Sequence, residues 1–336
     1  MKFSVLGAGS WGTTLANLLC ENGHTVKIWA REPEVVEGIN LEHRNPYFVN
    51  HLELNHKLIA FTDIIETLSD TDYALISIPS GFIRPTLESY SDELASKKGI
   101  INVAKGFERE TGKRLSQILC DIVKAEPESP QDRIAVLSGP NLADEIAMKK
   151  ISASVVACHN EELAKIFQEC LSNEQFRVYR QTDRTGVELG GTLKNIFAIG
   201  AGICDGLELG DNAKAAYLTR SLHELVRLGT ALGGEKQTFY GLAGLGDLMA
   251  TTSSPLSRNN KLGREIAKGK TLREITESTK MVLEGVETTK IAFMWGKKLT
   301  LPLPITEELY RVLFENRAPQ IAAHNLMSRT LKSETD

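Results

Sequence analysis

Read the segment 187–205, VELGGTLKNIFAIGAGICD, as a helix and its chemistry separates into two faces. Leu189, Leu193, Ile196, Phe197, Gly200 and Ile203 recur at spacings of three and four and form an apolar face. Gly190, Lys194, Ala198, Ala201 and Gly202 fall largely on another side, bare except for one long cation. A glycine inside a helix costs roughly 1 kcal/mol relative to alanine, so several of them call for a reason. One reason is close approach, with a ligand or another backbone sliding along the small residues to meet Lys194. The other is plain helix–helix packing, with Lys194 reaching out to solvent. Two further stretches carry chemistry. The segment 241–247, GLAGLGD, is a glycine-rich backbone that ends on the carboxylate of Asp247, either to position it or as a turn before a helix. The segment 257–261, SRNNK, puts an Arg and two amides at a helix start, a combination suited to phosphate or to an ordinary polar helix start.

A fourth constellation opens the chain. An apolar run at 3–6 passes into Gly7-Ala-Gly9-Ser-Trp11-Gly12 and then into a helical pattern over 13–21. Strand, G-x-G-x-x-G, helix is the context that a dinucleotide fingerprint requires. Gly7 permits the tight turn, Gly9 lets a pyrophosphate approach the backbone, and Gly12 lets the helix pack on the strand. The N–H groups of Ser10, Trp11 and Gly12 would hold the phosphates. After a second strand at 25–29 comes Trp29-Ala30-Arg31-Glu32. Arg31 suits a ribose 2′-phosphate and thus NADPH, while Glu32 would instead serve the 2′-hydroxyl of NADH.

These residues need elements to hold them. Runs at 57–61, 73–78, 99–104, 133–137 and 152–157 read as further strands. Helical patterns at 63–68, 82–94, 113–124, 141–148 and 161–171 alternate with them, and 176–179 is a last strand. That alternation predicts an α/β Rossmann-type, doubly wound, mostly parallel sheet. Ligands of such sheets lie beyond the carboxyl ends of strands, which places Lys105 at the mouth of the crevice, as a functional cation or as a surface lysine. After Asp183 no clear strand remains. Helical runs at 187–204, 212–232, 259–268, 285–299 and 306–315 predict an all-α C-terminal domain, so the expected division is 1–183 for the dinucleotide and 184–336 for substrate and catalysis.

Composition bounds the alternatives. The chain has 336 residues, 42% of them apolar and 24% charged, with a net charge of −4. There is no basic excess to suggest nucleic acid, no signal-peptide pattern, and no apolar run long enough for a bilayer. The five cysteines lack a C-x-x-C pair and are odd in number, which argues against a disulfide framework and fits a reducing cytoplasm. His43, His51 and His56 are spaced by eight and five, which matches no compact zinc pattern, so no metal is expected.

Taken together, Gly7–Gly12 with its Trp11, Ala104-Lys105-Gly106, Ser138-Gly-Pro140, Gly191-Thr-Leu-Lys-Asn195, Gly241–Asp247 and Ser257-Arg-Asn259 resemble the bacterial-type NAD(P)-dependent glycerol-3-phosphate dehydrogenases along nearly the whole chain. The resemblance implies an oxidoreductase that interconverts dihydroxyacetone phosphate and sn-glycerol 3-phosphate and supplies the backbone for phospholipid synthesis. It implies Lys194 as proton donor and acceptor, with Asp247 beside it and Lys105 as a further catalytic cation. Carried over position by position, the substrate contacts are Lys105, Gly139, Asn141, Lys194, Asn195, Asp247, Thr251, Ser257, Arg258 and Asn259. The cofactor contacts are Gly7, Gly9, Ser10, Trp11, Gly12, Arg31, Lys105, Ala143, Arg258, Val282 and Glu284. Asn141 departs from the commoner Ser or Thr, Asn260 from Arg, and the loop at 47–54 from Pro-Gly. The cofactor is NADPH or NADH, with NADPH favoured; the expected assembly is a homodimer. Two other readings remain: a related two-domain hydroxy-acid dehydrogenase with a carboxylate substrate, and a non-catalytic NAD(P)H sensor. Asp247 would favour the charged form of Lys194, whereas Lys105 and burial would oppose it, and the sequence leaves the balance open.

Overall fold

The computed structural model describes residues 1–126, 132–277, 283–331 and 333–334. Its strands are β1 (Lys2–Leu6), β2 (Thr25–Trp29), β3 (Ile59–Phe61), β4 (Tyr73–Ile76), β5 (Gly99–Asn102), β6 (Ile134–Ser138), β7 (Ser152–Ala157) and β8 (Phe176–Gln181). They form one sheet in the order β3-β2-β1-β4-β5-β6-β7-β8. Neighbours are parallel except β6 and β7. β4, β5 and β6 are buried at every residue, as strands covered on both faces must be. The covering helices are α1 (Ser10–Glu21), α2 (Pro33–Leu41), α3 (Ile64–Leu68), α4 (Ile83–Leu87), α5 (Ser91–Ala95), α6 (Leu115–Val123), α7 (Ala143–Ala147) and α8 (Glu161–Leu171). The single helix expected over 82–94 is instead α4 and α5, separated by a 3₁₀ turn at Glu88–Tyr90. Pro85 sits in the first turn of α4, where its missing N–H is tolerated, and the chain tightens after it.

From residue 184 onward the structure is helical: α9 (Arg184–Gly206), α10 (Asp211–Ala231), α11 (Asp247–Ser253), α12 (Arg258–Ala267), α13 (Leu272–Glu277), α14 (Glu284–Lys298), α15 (Pro304–Phe314) and α16 (Pro319–Met327). No helix among the described residues is long and apolar enough to cross a membrane. α9 is the axis of this half. Asp183 caps it, accepting from the N–H of Gly186 at 2.8 Å, and its other oxygen accepts from Glu235 N–H at 2.9 Å. Every residue from Arg184 to Ile203 is buried, so the expected bare face is covered along its length. Its glycines are the reason it can be covered. A Cβ on Gly190 would stand 2.7 Å from the Ala243 carbonyl oxygen, and one on Gly202 would overlap the Asn260 carbonyl. Reciprocally, a Cβ on Gly263 of α12 would overlap the Ile199 carbonyl of α9. These small residues therefore serve backbone-to-backbone packing.

Two buried ion pairs tie α9 to the sheet half. Arg184, fully buried, pairs with Asp132 and donates to the Ile134 carbonyl at 2.8 Å. Glu188 accepts from Ser116 N–H at 2.8 Å and from the Arg114 guanidinium at 3.1 Å. Replacing Gly202 by Val should lower the free energy of unfolding by about 1–3 kcal/mol through overpacking of the α9–α12 seam. Urea denaturation measures this, and an unchanged midpoint would show that the seam has slack.

Candidate active site

The strand order reverses between β1 and β4, which opens a crevice at their carboxyl ends. β1 runs straight into Gly7, whose φ of +113° only glycine adopts readily, and a Cβ there would stand 2.7 Å from the Ser77 carbonyl oxygen just after β4. Gly12 packs against Gly7, whose carbonyl a Cβ on Gly12 would overlap. Gly9 differs from both: a Cβ there meets nothing within 4 Å. α1 begins at Ser10 with Gly9 as its N-cap and no side-chain cap. The first N–H groups of a helix have no carbonyl one turn back, so Ser10, Trp11 and Gly12 present donors beside the open space over Gly9. This cradle fits a pyrophosphate. The Trp11 ring packs edge-on to Phe176 at 6.4 Å. Arg31 lies just past β2, with its side chain 80% exposed and bonded to Glu32 at 2.6 Å. The two residues that could read the ribose therefore hold each other. Ala143 is the first residue of α7 and is partly buried. Val282 lies outside the described residues.

Across the crevice, the turn after β5 brings Lys105 to the helical half. Its ammonium bonds the Gly139 carbonyl at 3.1 Å and pairs with Asp247. Asp247 starts α11 directly after a π-helical turn at Leu242–Gly246, closed by Gly246 N–H to the Gly241 carbonyl at 3.1 Å. The glycines thus both make the turn and deliver the carboxylate. The second oxygen of Asp247 lies 2.9 Å from Lys194 Nζ. Lys194 also donates to the Thr251 hydroxyl, which in turn donates to Asp247 at 3.2 Å. Lys194 is 7% exposed and Asp247 1%, so Lys194 points into the protein and does not extend out into solvent. Burial pushes its ammonium down from 10.5 to about 8; Asp247 resists this and Lys105 adds to it. The balance left open by the sequence falls on the side of burial.

A second layer surrounds this cluster. Asn195 accepts from Asn259 Nδ2 at 3.0 Å, and Asn259 accepts from Gly285 N–H at 3.2 Å. Asn141 donates to Ser154 Oγ at 3.0 Å, and Gly139, with φ +151°, lies against the Ser154 backbone. Ser257 caps α12 through the N–H of Asn260 at 3.2 Å. Asn260 itself donates to Asp205 and to the Thr252 carbonyl, a packing role. Arg258 is the exposed first residue of α12. Glu284, at the start of α14, has its carboxyl raised by burial while Arg258, Lys194 and Lys105 pull it down. Ser138 Oγ, Asn141 Oδ1 and Asn195 Nδ2 are buried with no hydrogen-bond partner. An orphaned buried polar atom costs about 1–3 kcal/mol, so their grouping beside two ammonium groups suits a small polar ligand. Ser138 and Thr192 fall inside stretches that sequence reading singled out, yet only the structure shows what their hydroxyls meet. The His43 and His56 rings lie 3.9 Å apart, tilted by 49°, and no group of three metal-binding side chains occurs among the described residues.

A phosphate cradle on one half and a buried lysine–carboxylate pair on the other, facing one crevice, are what a two-domain nicotinamide-dependent dehydrogenase needs: one half holds the dinucleotide, the other manages the proton. Family models narrow that class. Residues 2–164 match the NAD-dependent glycerol-3-phosphate dehydrogenase N-terminus and residues 183–324 match its C-terminus. The chain belongs to this family. It is 42% identical to the glycerol-3-phosphate dehydrogenase [NAD(P)+] of Syntrophotalea carbinolica over 336 residues, all of both chains. It is 42% identical to the enzyme of that name from Enterococcus faecalis, covering 100% of this chain and 98% of that one. The crystal structure of glycerol-3-phosphate dehydrogenase from Coxiella burnetii superimposes with a TM-score of 0.91 at 34% identity, covering 98% of this chain and 99% of that one.

Because Asp247 holds up the basicity of Lys194, Asp247→Asn should move the lysine's titration below about 8. The pH dependence of Lys194 acylation by a small amine-reactive acylating reagent such as acetic anhydride, read by peptide mass mapping, measures this. An unmoved midpoint would show that Asp247 does not set the ammonium's charge.

Proposed function

We propose that this enzyme interconverts dihydroxyacetone phosphate and sn-glycerol 3-phosphate, with Lys194 moving the proton. The observation that carries this reading is the buried Lys194 ammonium, held by Asp247 and Thr251 with a pKa near 8. Bound NAD(P)H supplies the hydride. Gly7, Gly9 and Gly12, with the N–H groups of Ser10 and Trp11, hold its pyrophosphate; Ala143, Arg258, Glu284 and Lys105 complete its contacts. Lys105, Gly139, Asn141, Asn195, Thr251, Ser257, Arg258 and Asn259 surround the substrate. The cations Lys194, Lys105 and Arg258 against the carboxylates of Asp247 and Glu284 leave a positive excess that suits a dianionic phosphate ester. In the reductive direction Lys194 donates its proton to the oxygen that becomes a hydroxyl, stabilising its charge as it forms. In the oxidative direction the neutral amine takes the proton back. Asp247 keeps Nζ in place in both charge states.

The main division follows the change in texture at residue 184: residues 1–183 carry the dinucleotide cradle and residues 184–336 the proton-moving lysine. Lys105, Gly139 and Asn141 reach the substrate from the first, and Arg258 and Glu284 reach the cofactor from the second. Arg31 gives preference to NADPH by meeting the 2′-phosphate once it releases Glu32. The enzyme works in the cytoplasm as a homodimer and feeds phospholipid synthesis. A spectrophotometric assay with dihydroxyacetone phosphate and each reduced cofactor tests the reading directly: NADPH should be consumed faster than NADH at equal concentration. Arg31→Glu should reverse the ratio of kcat/KM for the two. Consumption of neither cofactor contradicts the activity, and an unmoved ratio removes Arg31 from cofactor choice.

A further inference from the structure

Glu188 and Thr192 lie four residues apart on α9, so they share one face of it, and both are buried. Glu188 accepts from Ser116 N–H and Arg114, at the start of α6. Thr192 Oγ1 accepts from the N–H of Gly106 at 3.1 Å. Between these two anchors the chain doubles back, with Phe107 and Arg114 forming an isolated antiparallel bridge. The loop that carries Lys105 is therefore pinned at both ends by the helix that carries Lys194. Gly106 makes this approach because it lacks a side chain: its φ is +144°, and a Cβ there would stand 2.6 Å from Ser80 Oγ. Lys105 is the residue directly before that N–H.

We infer that Thr192 is a positioning residue for the reaction proposed above: its hydroxyl fixes the Lys105–Gly106 peptide to α9 and so sets where the Lys105 ammonium stands between Asp247 and Lys194. The inference rests on that reading of the reaction. The groups that face Lys194 are Asp247 and Thr251 from α11, Lys105 from the β5–α6 loop, and Glu284 from α14. Of these, Lys105 disfavours the charged ammonium, and it also shares Asp247 with Lys194. If Lys105 drifts away, both effects act in one direction, and Lys194 holds its proton to higher pH.

Thr192→Val removes the acceptor while keeping the branched shape, and Thr192→Ser keeps the acceptor. In the Val variant the Gly106 amide should exchange with deuterium several-fold faster, and Lys105 should acylate faster. Its kcat for dihydroxyacetone phosphate should fall about tenfold, as small misplacements at a reacting centre do. The pH at which reduction declines should rise. The Ser variant should restore all of these. A Val variant with native exchange overturns the anchor. Faster exchange with a native kcat and pH profile overturns its role in positioning. A Ser variant as impaired as Val shows that shape, not the hydroxyl, matters. Should the wild-type enzyme fail to reduce dihydroxyacetone phosphate, the reaction assigned above is wrong. Gly106 exchange and Lys105 acylation then still decide the anchor: faster in Val and native in Ser supports it, unchanged in Val overturns it.

Discussion

One carboxylate shared by two ammonium groups sets the terms for the rest of the molecule. Asp247 is almost fully buried and meets both Lys194 and Lys105. Removing Asp247 would leave two buried ammonium groups facing each other uncompensated, which costs several kcal/mol. The fold must therefore deliver three charges from three separate elements to one point. Lys194 arrives on a long helix, Asp247 on a π-turn in which Gly244 has no room for a side chain, and Lys105 on a loop from the other half of the chain. Burial, which would make an isolated lysine lose its proton, is opposed by Asp247 and leaves Lys194 with a pKa near 8, where gain and loss of a proton are both accessible near neutral pH.

α9 is the element that makes this delivery repeatable. Its 23 residues are buried over almost their whole length, which a single helix achieves only if neighbours approach on every side. Glycines at 190, 200, 202 and 206 let backbones and a tyrosine hydroxyl come that close. Its polar residues are then spent on fixed partners: Arg184 on Asp132, Glu188 on the start of α6, Thr192 on Gly106, and Lys194 on Asp247 and Thr251. Reading along one helix from residue 184 to 194 thus runs from clamps between the halves to the buried Lys194–Asp247 pair. Rigidity between the halves and placement of the chemistry have the same physical source.

Much of this was legible in the sequence because it has local causes. The strands of the sheet are short apolar runs, so their order along the chain and the change to helices after Asp183 could be read from periodicity alone. Gly7 and Gly12 make backbone approaches that a side chain would block, and the space over Gly9 is open, because a glycine's use is written in what its missing side chain would touch. The segments carrying Lys194 and Asp247 stood out by their glycines. Less legible were the features that depend on long-range contacts. The covered face of α9 could not be told from an open groove, since both want small residues. The direction of the Lys194 shift depended on a burial that no spacing reports. Short helices such as α11, α13 and α16 hold too few turns for their pattern to rise above a loop. Ser138 and Thr192 carry hydroxyls whose partners, or lack of partners, exist only once Lys105 and Gly191 have been brought to them.

The account stands on Lys194 as the group that gives and takes the proton, and the pH dependence of turnover in the two directions tests that most directly. Reduction of dihydroxyacetone phosphate needs the ammonium and oxidation of glycerol 3-phosphate needs the amine. As pH rises through the Lys194 pKa, near 8 in the free protein, the reductive kcat should fall and the oxidative kcat should climb. Lys194→Ala should lose about 10²–10⁴ in both while still binding NADPH. Limbs that run the same way in both directions, or an alanine variant that keeps more than about a tenth of the wild-type rate, would contradict it.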